Sequence, residues 1–314
     1  RGIAALKEVG MAEYMLKEAV PMYGRMIHAI DGSTKLLPYS GRDGEFINSV
    51  SRSGLNIALI NEADKYDNVK FFFNERCLTC NCSTSEAIVI NELNRNVSTI
   101  IGNTLIGTDG AGSQLRENMY HHIENFQYSQ DYLDHRYIEL SIPPTETGNF
   151  QIEKNALHIW ARHSFMMIAL PNFDGSFTCT LFLANKGENS FESIFSKEWE
   201  LEKYWNEHNQ TPLNKQGFRI WRHPLQDEAE ERLLTFFQSN FPDAIALMPT
   251  LFEDFFWNPI GKLGTIKCFP WNVGGKSLLL GDAAHAVVPF YGQGMNASFE
   301  DCRVLNELIE QHGT

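Results

Sequence analysis

The segment 277–301 holds the residue types best suited to chemistry. Residues 277–280 are an apolar run that predicts a buried strand, so Asp282 follows the carboxyl end of a strand. Open α/β sheets bind ligands at that end. A carboxylate placed there can accept hydrogen bonds from two hydroxyls of a polyol. Gly292 and Gly294 follow, and glycine lets the backbone approach a ligand closely.

A helix is predicted to begin near Met295, and Asn296 falls in its first turn. Its apolar face is predicted to consist of Phe299, Cys302, Leu305, Leu308 and Ile309. The free N–H groups and the positive dipole end of such a helix favour negative charge. The plainer alternative is a strand–loop–helix unit whose glycines only make turns.

Two further motifs carry charged residues. Residues 105–116 predict a strand, a turn at Asp109 and a helix start, in which Asp109 organises the turn. Arg116 is interpreted either as a phosphate contact or as a surface charge. Arg25 lies in a short apolar strand ahead of Tyr39, and arginine can hold a carboxylate with two parallel hydrogen bonds. The alternative for Arg25 is a structural salt bridge.

Together these motifs resemble those of the flavin-dependent aromatic hydroxylases. The resemblance implies that FAD is the cofactor and that NADPH is the co-substrate. By this resemblance the FAD-contacting residues are Arg52, Cys77, Asp109, Gln114, Asp282, Gly294, Met295 and Asn296. No metal ligand is assigned, and His285 is interpreted as part of the motif rather than as a catalytic base. No catalytic acid or base is assigned at all.

The segment 21–39 is similar to that of the members that hydroxylate kynurenine, where the matching arginine and tyrosine hold the substrate carboxylate. The resemblance therefore implies substrate binding by Arg25 and Tyr39, and the NADPH- and O2-dependent conversion of L-kynurenine to 3-hydroxykynurenine in tryptophan catabolism. Two alternatives stay open. One is another flavin-dependent hydroxylase or reductase, and the other is a non-catalytic fragment without bound FAD.

The implied fold is α/β, with an FAD domain and a β-sheet substrate domain that are interleaved. The predicted FAD domain comprises 1–20, 47–118 and 276–314, and the substrate domain comprises 21–46 and 119–275. The Gly-x-Gly-x-x-Gly motif that opens the family's FAD domain is absent from the sequence. We therefore expect a fragment, inactive alone, that lacks this motif and the family's C-terminal region. In eukaryotic members that region anchors the protein to the mitochondrial outer membrane. Residues from about 200 to 225 resemble an insertion.

Composition narrows the class of protein. The 314 residues include 26 Lys and Arg against 39 Asp and Glu, a net charge of −13, which argues against nucleic acid as a partner. No apolar run approaches the ~18 residues of a membrane span, so the chain itself is expected to be soluble. Six cysteines are too few for a disulfide scaffold. The cluster at Cys77, Cys80 and Cys82 lacks the further ligands of a zinc site and predicts reduced thiols on a strand and turn.

Hydrophobic periodicity gives the remaining elements. Strands are predicted at 69–73, 87–90 and 104–107, and four more at 137–142, 156–160, 165–170 and 177–182. Helices are predicted at 2–20 with a break at Gly10, from about Ser51, and at 230–240. Asp31 and Gly32 predict a hairpin between residues 26–30 and 35–37.

Overall fold

The computed structural model describes residues 1–42, 44–195 and 226–313. Contacts divide the chain into two interleaved compact units. The first unit comprises 1–14, 55–133 and 263–314, and the second comprises 15–54 and 134–262. The insertion predicted at about 200–225 lies outside the described residues.

The first unit contains two small sheets. Strands β5 (Glu75–Asn81), β6 (Glu86–Asn91) and β7 (Val97–Ile101) form an antiparallel meander. The other sheet has the order β14 (Asn272–Val273), β15 (Ser277–Leu279) and β8 (Leu105–Gly107), and β15 runs parallel to β8. Its helices are Gly2–Glu8, Gln114–His122, Asp282–His285 and Gly294–His312, with a short 3-10 turn at Pro289–Tyr291.

The core of this unit lies between β5, the helix Gln114–His122 and the residues that follow β15. Met119, Leu279, Ala283 and Ala284 are fully buried in it. Small alanines at 283 and 284 let the turn after β15 pack closely on that helix. The core therefore fixes the backbone around Asp282 to the helix that follows Asp109.

A seven-stranded sheet has the order β13-β9-β12-β11-β10-β2-β3, and most of its residues belong to the second unit, whereas 127–133 of β9 and 263–269 of β13 belong to the first. The strands are β2 (Gly24–His28), β3 (Thr34–Pro38), β9 (Gln127–Ile142), β10 (Ala156–Arg162), β11 (Phe165–Pro171), β12 (Phe177–Ala184) and β13 (Gly261–Phe269). A separate antiparallel pair joins β1 (Val20–Met22) to β4 (Ile47–Ser49). The helices assigned to the second unit, in whole or in part, are Ala12–Lys17, Arg52–Ala63, Phe191–Phe195, Gln226–Asn240, Pro242–Ile245 and Leu251–Trp257.

Alternating burial along β10, β11 and β12 places one face of the sheet in an aromatic core. Trp160, Phe177, Phe191, Phe237 and Phe255 are each almost completely buried there. This alternation has the period of two that the sequence shows, and all four strands predicted between 137 and 182 are confirmed.

Several local predictions are wrong. Residues 69–73 form no strand, and Phe72 and Phe73 are 71% and 65% exposed. The helix predicted at 2–20 is broken at Gly10, which has φ 71°, as predicted, but its second part ends at Lys17 and Val20 already begins β1. The helix Gly294–His312 has no fully buried residue: of its predicted apolar face, Phe299 and Leu305 are half-buried, and Cys302, Leu308 and Ile309 are exposed.

The unit boundaries also differ from the predicted domain boundaries. Residues 47–54 belong to the second unit, because β4 pairs with β1. Residues 119–133 belong to the first unit, because the helix that carries Met119 packs in its core. Residues 263–275 belong to the first unit as well. The assignment of one unit to FAD and the other to substrate stays a prediction.

Candidate functional site

The turn after β15 presents Asp282 to solvent. Gly281 has φ 59° and ψ −140°, a conformation that favours glycine, and Asp282 begins the short helix that follows it. The Asp282 side chain is exposed, and among the described residues no group bonds to its carboxylate. A Cβ built on Gly294 would lie 3.8 Å from Asp282 Oδ1, so this glycine is adjacent to the carboxylate. A free carboxylate beside a glycine fits the polyol chain of a flavin.

The helix that begins at Gly294 brings three predicted residues to this turn. Met295 is 43% exposed. The Asn296 side chain bonds within the protein, because its Oδ1 accepts the Gly2 N–H at 3.2 Å and its Nδ2 donates to Gly292 O at 3.4 Å. The N-cap residue makes no side-chain cap hydrogen bond, which leaves the first N–H groups of the helix available to an anion as far as the described residues show. The backbone N–H of Asn296 is therefore more available to a ligand than its side-chain amide, which is already bonded within the protein.

Asp109 organises its loop, as predicted. Its Oδ2 accepts the Gln114 N–H at 2.7 Å, and Ser113 caps the same helix by accepting the Arg116 N–H at 3.1 Å. The Gln114 side chain is exposed. The pKa of the Cys77 thiol is raised by burial first and by the charge of Asp109 second. The structure thus brings Cys77, Asp109 and Gln114 together.

The interpretation of Arg116 as a surface charge is wrong, and its interpretation as a phosphate contact stays a prediction. It is 4% exposed and its Nη1 donates to Ala283 O at 2.8 Å, while its Nη2 donates to Ala111 O. Its guanidinium also lies 5.2 Å from the ring centroid of Tyr128. Arg116 therefore joins the Asp109 loop to the helix that starts at Asp282.

Arg25 and Tyr39 lie together in the second unit. Arg25 on β2 pairs with Leu37 on β3, and Tyr39 follows that strand. A Cβ on Gly24 would meet Leu37 O at 2.6 Å, so glycine is required for the close approach of the two strands. The Arg25 guanidinium lies 4.7 Å from the Tyr39 ring centroid.

The polar groups of this pair are free. Arg25 is exposed rather than buried in its strand, and it makes no ion pair or hydrogen bond with any described residue, so the salt-bridge alternative is wrong. The Tyr39 hydroxyl is buried and has no partner among the described residues. Burial raises the pKa of Tyr39 and the Arg25 charge acts against that rise, so the hydroxyl is a neutral donor.

Arg52 is placed differently from the other predicted flavin contacts. It belongs to the second unit, whereas the other seven belong to the first. Its Nη1 lies 3.6 Å from Glu139 Oε1, in an ion pair whose arginine side chain is 88% exposed. Such a pair contributes little to stability, so Arg52 remains available to a ligand.

Sequence reasoning missed Asp301, which accepts bonds from Gly281 and His285 at the turn after β15. Asp301 and His285 both lie in the segment 277–301, but their spacing in the sequence does not show that their side chains are hydrogen-bonded. Within the described ranges, no group of His, Cys, Asp and Glu side chains could hold a metal ion. No helix in those ranges is both long enough and apolar enough to cross a membrane.

The fold, together with the motifs at 105–116 and 277–301, defines a mixed α/β flavoprotein of the FAD-dependent hydroxylase type. The family described as "FAD binding domain" matches residues 1–311, and the chain belongs to it. The predicted fold class is therefore confirmed.

Relatives narrow the resemblance. Three relatives are named kynurenine 3-monooxygenase, from Anopheles gambiae, Myxococcus xanthus and Dictyostelium discoideum. Their sequence identities to this chain are 40%, 41% and 42%, and each alignment covers at least 99% of the chain. The chain spans only 57%, 60% and 59% of their respective lengths.

Solved structures agree on the fold. Klebsiella pneumoniae HpxO complexed with FAD and uric acid matches with a TM-score of 0.65 at 17% identity, over 99% of this chain and 69% of that one. The tetrameric form of 2-methyl-3-hydroxypyridine-5-carboxylic acid oxygenase matches with a TM-score of 0.63 at 18% identity, over 99% of this chain and 70% of that one. At these identities the likeness concerns the fold alone.

Proposed function

We propose that this chain is the larger part of an FAD- and NADPH-dependent monooxygenase that hydroxylates L-kynurenine to 3-hydroxykynurenine. The relatives named kynurenine 3-monooxygenase support the proposal across the whole chain. The expected location of eukaryotic members at the mitochondrial outer membrane stays a prediction.

One observation carries the choice of substrate. Arg25 and Tyr39 form a cation and a neutral donor side by side, and neither has a polar partner among the described residues. A carboxylate would take two hydrogen bonds from the guanidinium and one from the phenol. An unpaired buried hydroxyl is costly, so a ligand that satisfies Tyr39 gains that free energy on binding. The pair therefore favours an amino acid such as kynurenine over a neutral phenol.

The flavin, when bound, supplies the transfer of hydride from NADPH and the activation of O2. The residues of this chain do the binding. Asp282 holds the polyol, the Gly294 helix start offers N–H groups to negative charge, and Arg25 with Tyr39 orients the substrate. No described acid or base is required in this account, because the amino group of the substrate makes its own ring electron-rich.

The test uses protein produced from the complete natural coding sequence. It is incubated with FAD, NADPH and either L-kynurenine or the analogue that lacks the carboxylate. We expect 3-hydroxykynurenine from the acid, and far slower NADPH oxidation with the analogue. Equal rates of NADPH oxidation with kynurenine and with the analogue would show that the carboxylate is not recognised. Rapid hydroxylation of simple phenols instead would favour another flavin-dependent hydroxylase.

A further inference from the structure

The carboxylate of Asp301 lies under the turn that presents Asp282. Its Oδ2 accepts the Gly281 N–H at 2.8 Å and the Nε2–H of His285 at 2.7 Å. Both donors belong to the turn and the short helix after β15, whereas Asp301 lies in the second turn of the helix Gly294–His312. One oxygen thus fastens two segments that are adjacent in space and sixteen or more residues apart in sequence.

The same helix also limits the turn sterically. A Cβ built on Gly281 would lie 2.8 Å from Ser298 Oγ, and Gly281 has φ 59°, so only glycine fits. Ser298 and Asp301 are three residues apart and therefore share a helix face. This face therefore contacts Gly281 both sterically and through the hydrogen bond of Asp301.

Asp301 is only 16% exposed in its side chain, and its oxygen is occupied by two donors. It is therefore unsuited to bind a ligand directly. Hydrogen bonds to a charged acceptor are the stronger ones, at about 1.5–3 kcal/mol each, which makes this contact well suited to hold a backbone conformation that is unfavourable by itself.

We infer that Asp301 is a positioning residue, which holds Gly281 in its left-handed conformation and so directs the Asp282 carboxylate toward the flavin polyol. This inference rests on the proposed flavin site. His285 acts with Asp301 as a second tie to the same turn, through the short helix that it ends, and takes no part in proton transfer.

The first arm of the test needs no flavin. Amide hydrogen exchange at Gly281 is measured in the 314-residue chain and in Asp301→Ala, Asp301→Asn and Glu310→Gln. Asn keeps an oxygen that can accept from Gly281, whereas Ala keeps none. Glu310 lies on the same helix, is exposed and bonds only to Asn306 among the described residues, so Glu310→Gln is the matched control.

The expected result is faster exchange at Gly281 in Asp301→Ala by roughly tenfold or more, with most protection retained in Asp301→Asn and all of it in Glu310→Gln. The second arm measures, by flavin fluorescence, the FAD dissociation constant of the same variants made in protein from the complete natural coding sequence. We expect weakening of roughly tenfold in Asp301→Ala and rescue by Asn.

Unchanged exchange and unchanged FAD affinity in a folded Asp301→Ala variant would overturn the inference. If Asp301→Ala does not fold, the Asp301→Asn variant is used instead. It removes the negative charge but keeps an acceptor oxygen, so Gly281 should stay protected from exchange, and a loss of that protection would contradict the inference. Wild-type protein from the complete coding sequence that binds no FAD would count against the proposed flavin site, whereas the exchange arm would still decide what Asp301 holds.

Discussion

The guanidinium of Arg25 stacks over the ring of Tyr39, at 4.7 Å from its centroid, and the Tyr39 hydroxyl beside it is buried without a partner among the described residues. A cation held against a tyrosine face is oriented, but its N–H groups remain free to donate. The ring contact thus holds the two side chains in place before any ligand arrives, as the proposed carboxylate site requires.

Replacing Arg25 with Met should weaken kynurenine binding by roughly 10- to 100-fold, because a charged hydrogen bond contributes about 1.5–3 kcal/mol. The effect should be smaller than for a buried ion pair, since Arg25 is exposed. Titration with kynurenine and with its decarboxylated analogue measures it. Wild type should prefer the acid and Arg25→Met should not. An Arg25→Met variant that still prefers the acid would show that Arg25 does not bind the carboxylate. The control is Arg42→Met, which replaces an exposed arginine paired with Glu45.

Tyr39→Phe should weaken kynurenine binding by about 1 kcal/mol, or roughly fivefold. In the absence of ligand the same change should leave stability equal or slightly higher, because it removes a buried hydroxyl that has no partner. Urea unfolding and ligand titration of the same variant measure the two quantities. A clear loss of stability without loss of affinity would show that the hydroxyl bonds inside the protein.

Asp282→Asn should weaken FAD binding by roughly 10-fold or more, because it replaces charge-assisted hydrogen bonds to the polyol with neutral ones. Stability without FAD should hardly change, since no described group bonds to the Asp282 carboxylate. Flavin fluorescence during titration measures the affinity. Glu300→Gln is a control on the neighbouring helix, where the carboxylate pairs only with Arg303 among the described residues. Equal FAD affinity in Asp282→Asn would refute the assignment.

Acid should destabilise the second unit through His158. This side chain is 1% exposed, and its Nε2–H donates to Glu153 O while Nδ1 faces His28. Burial lowers the pKa of His158 to about 4, from 6.5. Between these two values the unfolded chain binds the proton and the folded chain does not, so stability falls as the pH drops from about 6.5 to about 4.

The size of the effect is roughly 3 kcal/mol at most. Urea unfolding followed by tryptophan fluorescence at a series of pH values in that window measures it. His158→Gln should be less stable at neutral pH but should have a shallower dependence on pH. The exposed His121 offers the control, and His121→Gln should keep the wild-type slope. A wild-type stability that does not change across the window would contradict the account.

Much of the second unit could be predicted from the sequence, since the strands between 137 and 184 alternate apolar and polar residues with the period of a half-buried sheet. Strands β7 and β13 were not predicted. β7 is exposed at every residue, so no burial pattern marks it, and β13 is interrupted by Gly264. Residues 71–73 are three phenylalanines, which have strand propensity, but they pair with no strand in the described part of the chain.

At the candidate site, residue types could be predicted and contacts could not. The sequence indicates Asp282 and Asp109 through their glycines and their places after strands. The roles of Arg116 and Asp301 depend on carbonyl and amide groups far away in sequence, such as Ala283 O and Gly281 N. Such bonds follow from packing of the whole unit, and local periodicity carries no information about them.

The most direct test of the central claim is the product formed by protein from the complete natural coding sequence, supplied with FAD, NADPH, L-kynurenine and isotopically labelled O2. The account predicts 3-hydroxykynurenine that carries one labelled oxygen, in an amount that depends on Asp282 and, at low substrate concentration, on Arg25. Flavin-loaded protein that oxidises NADPH without incorporating label into kynurenine would contradict it.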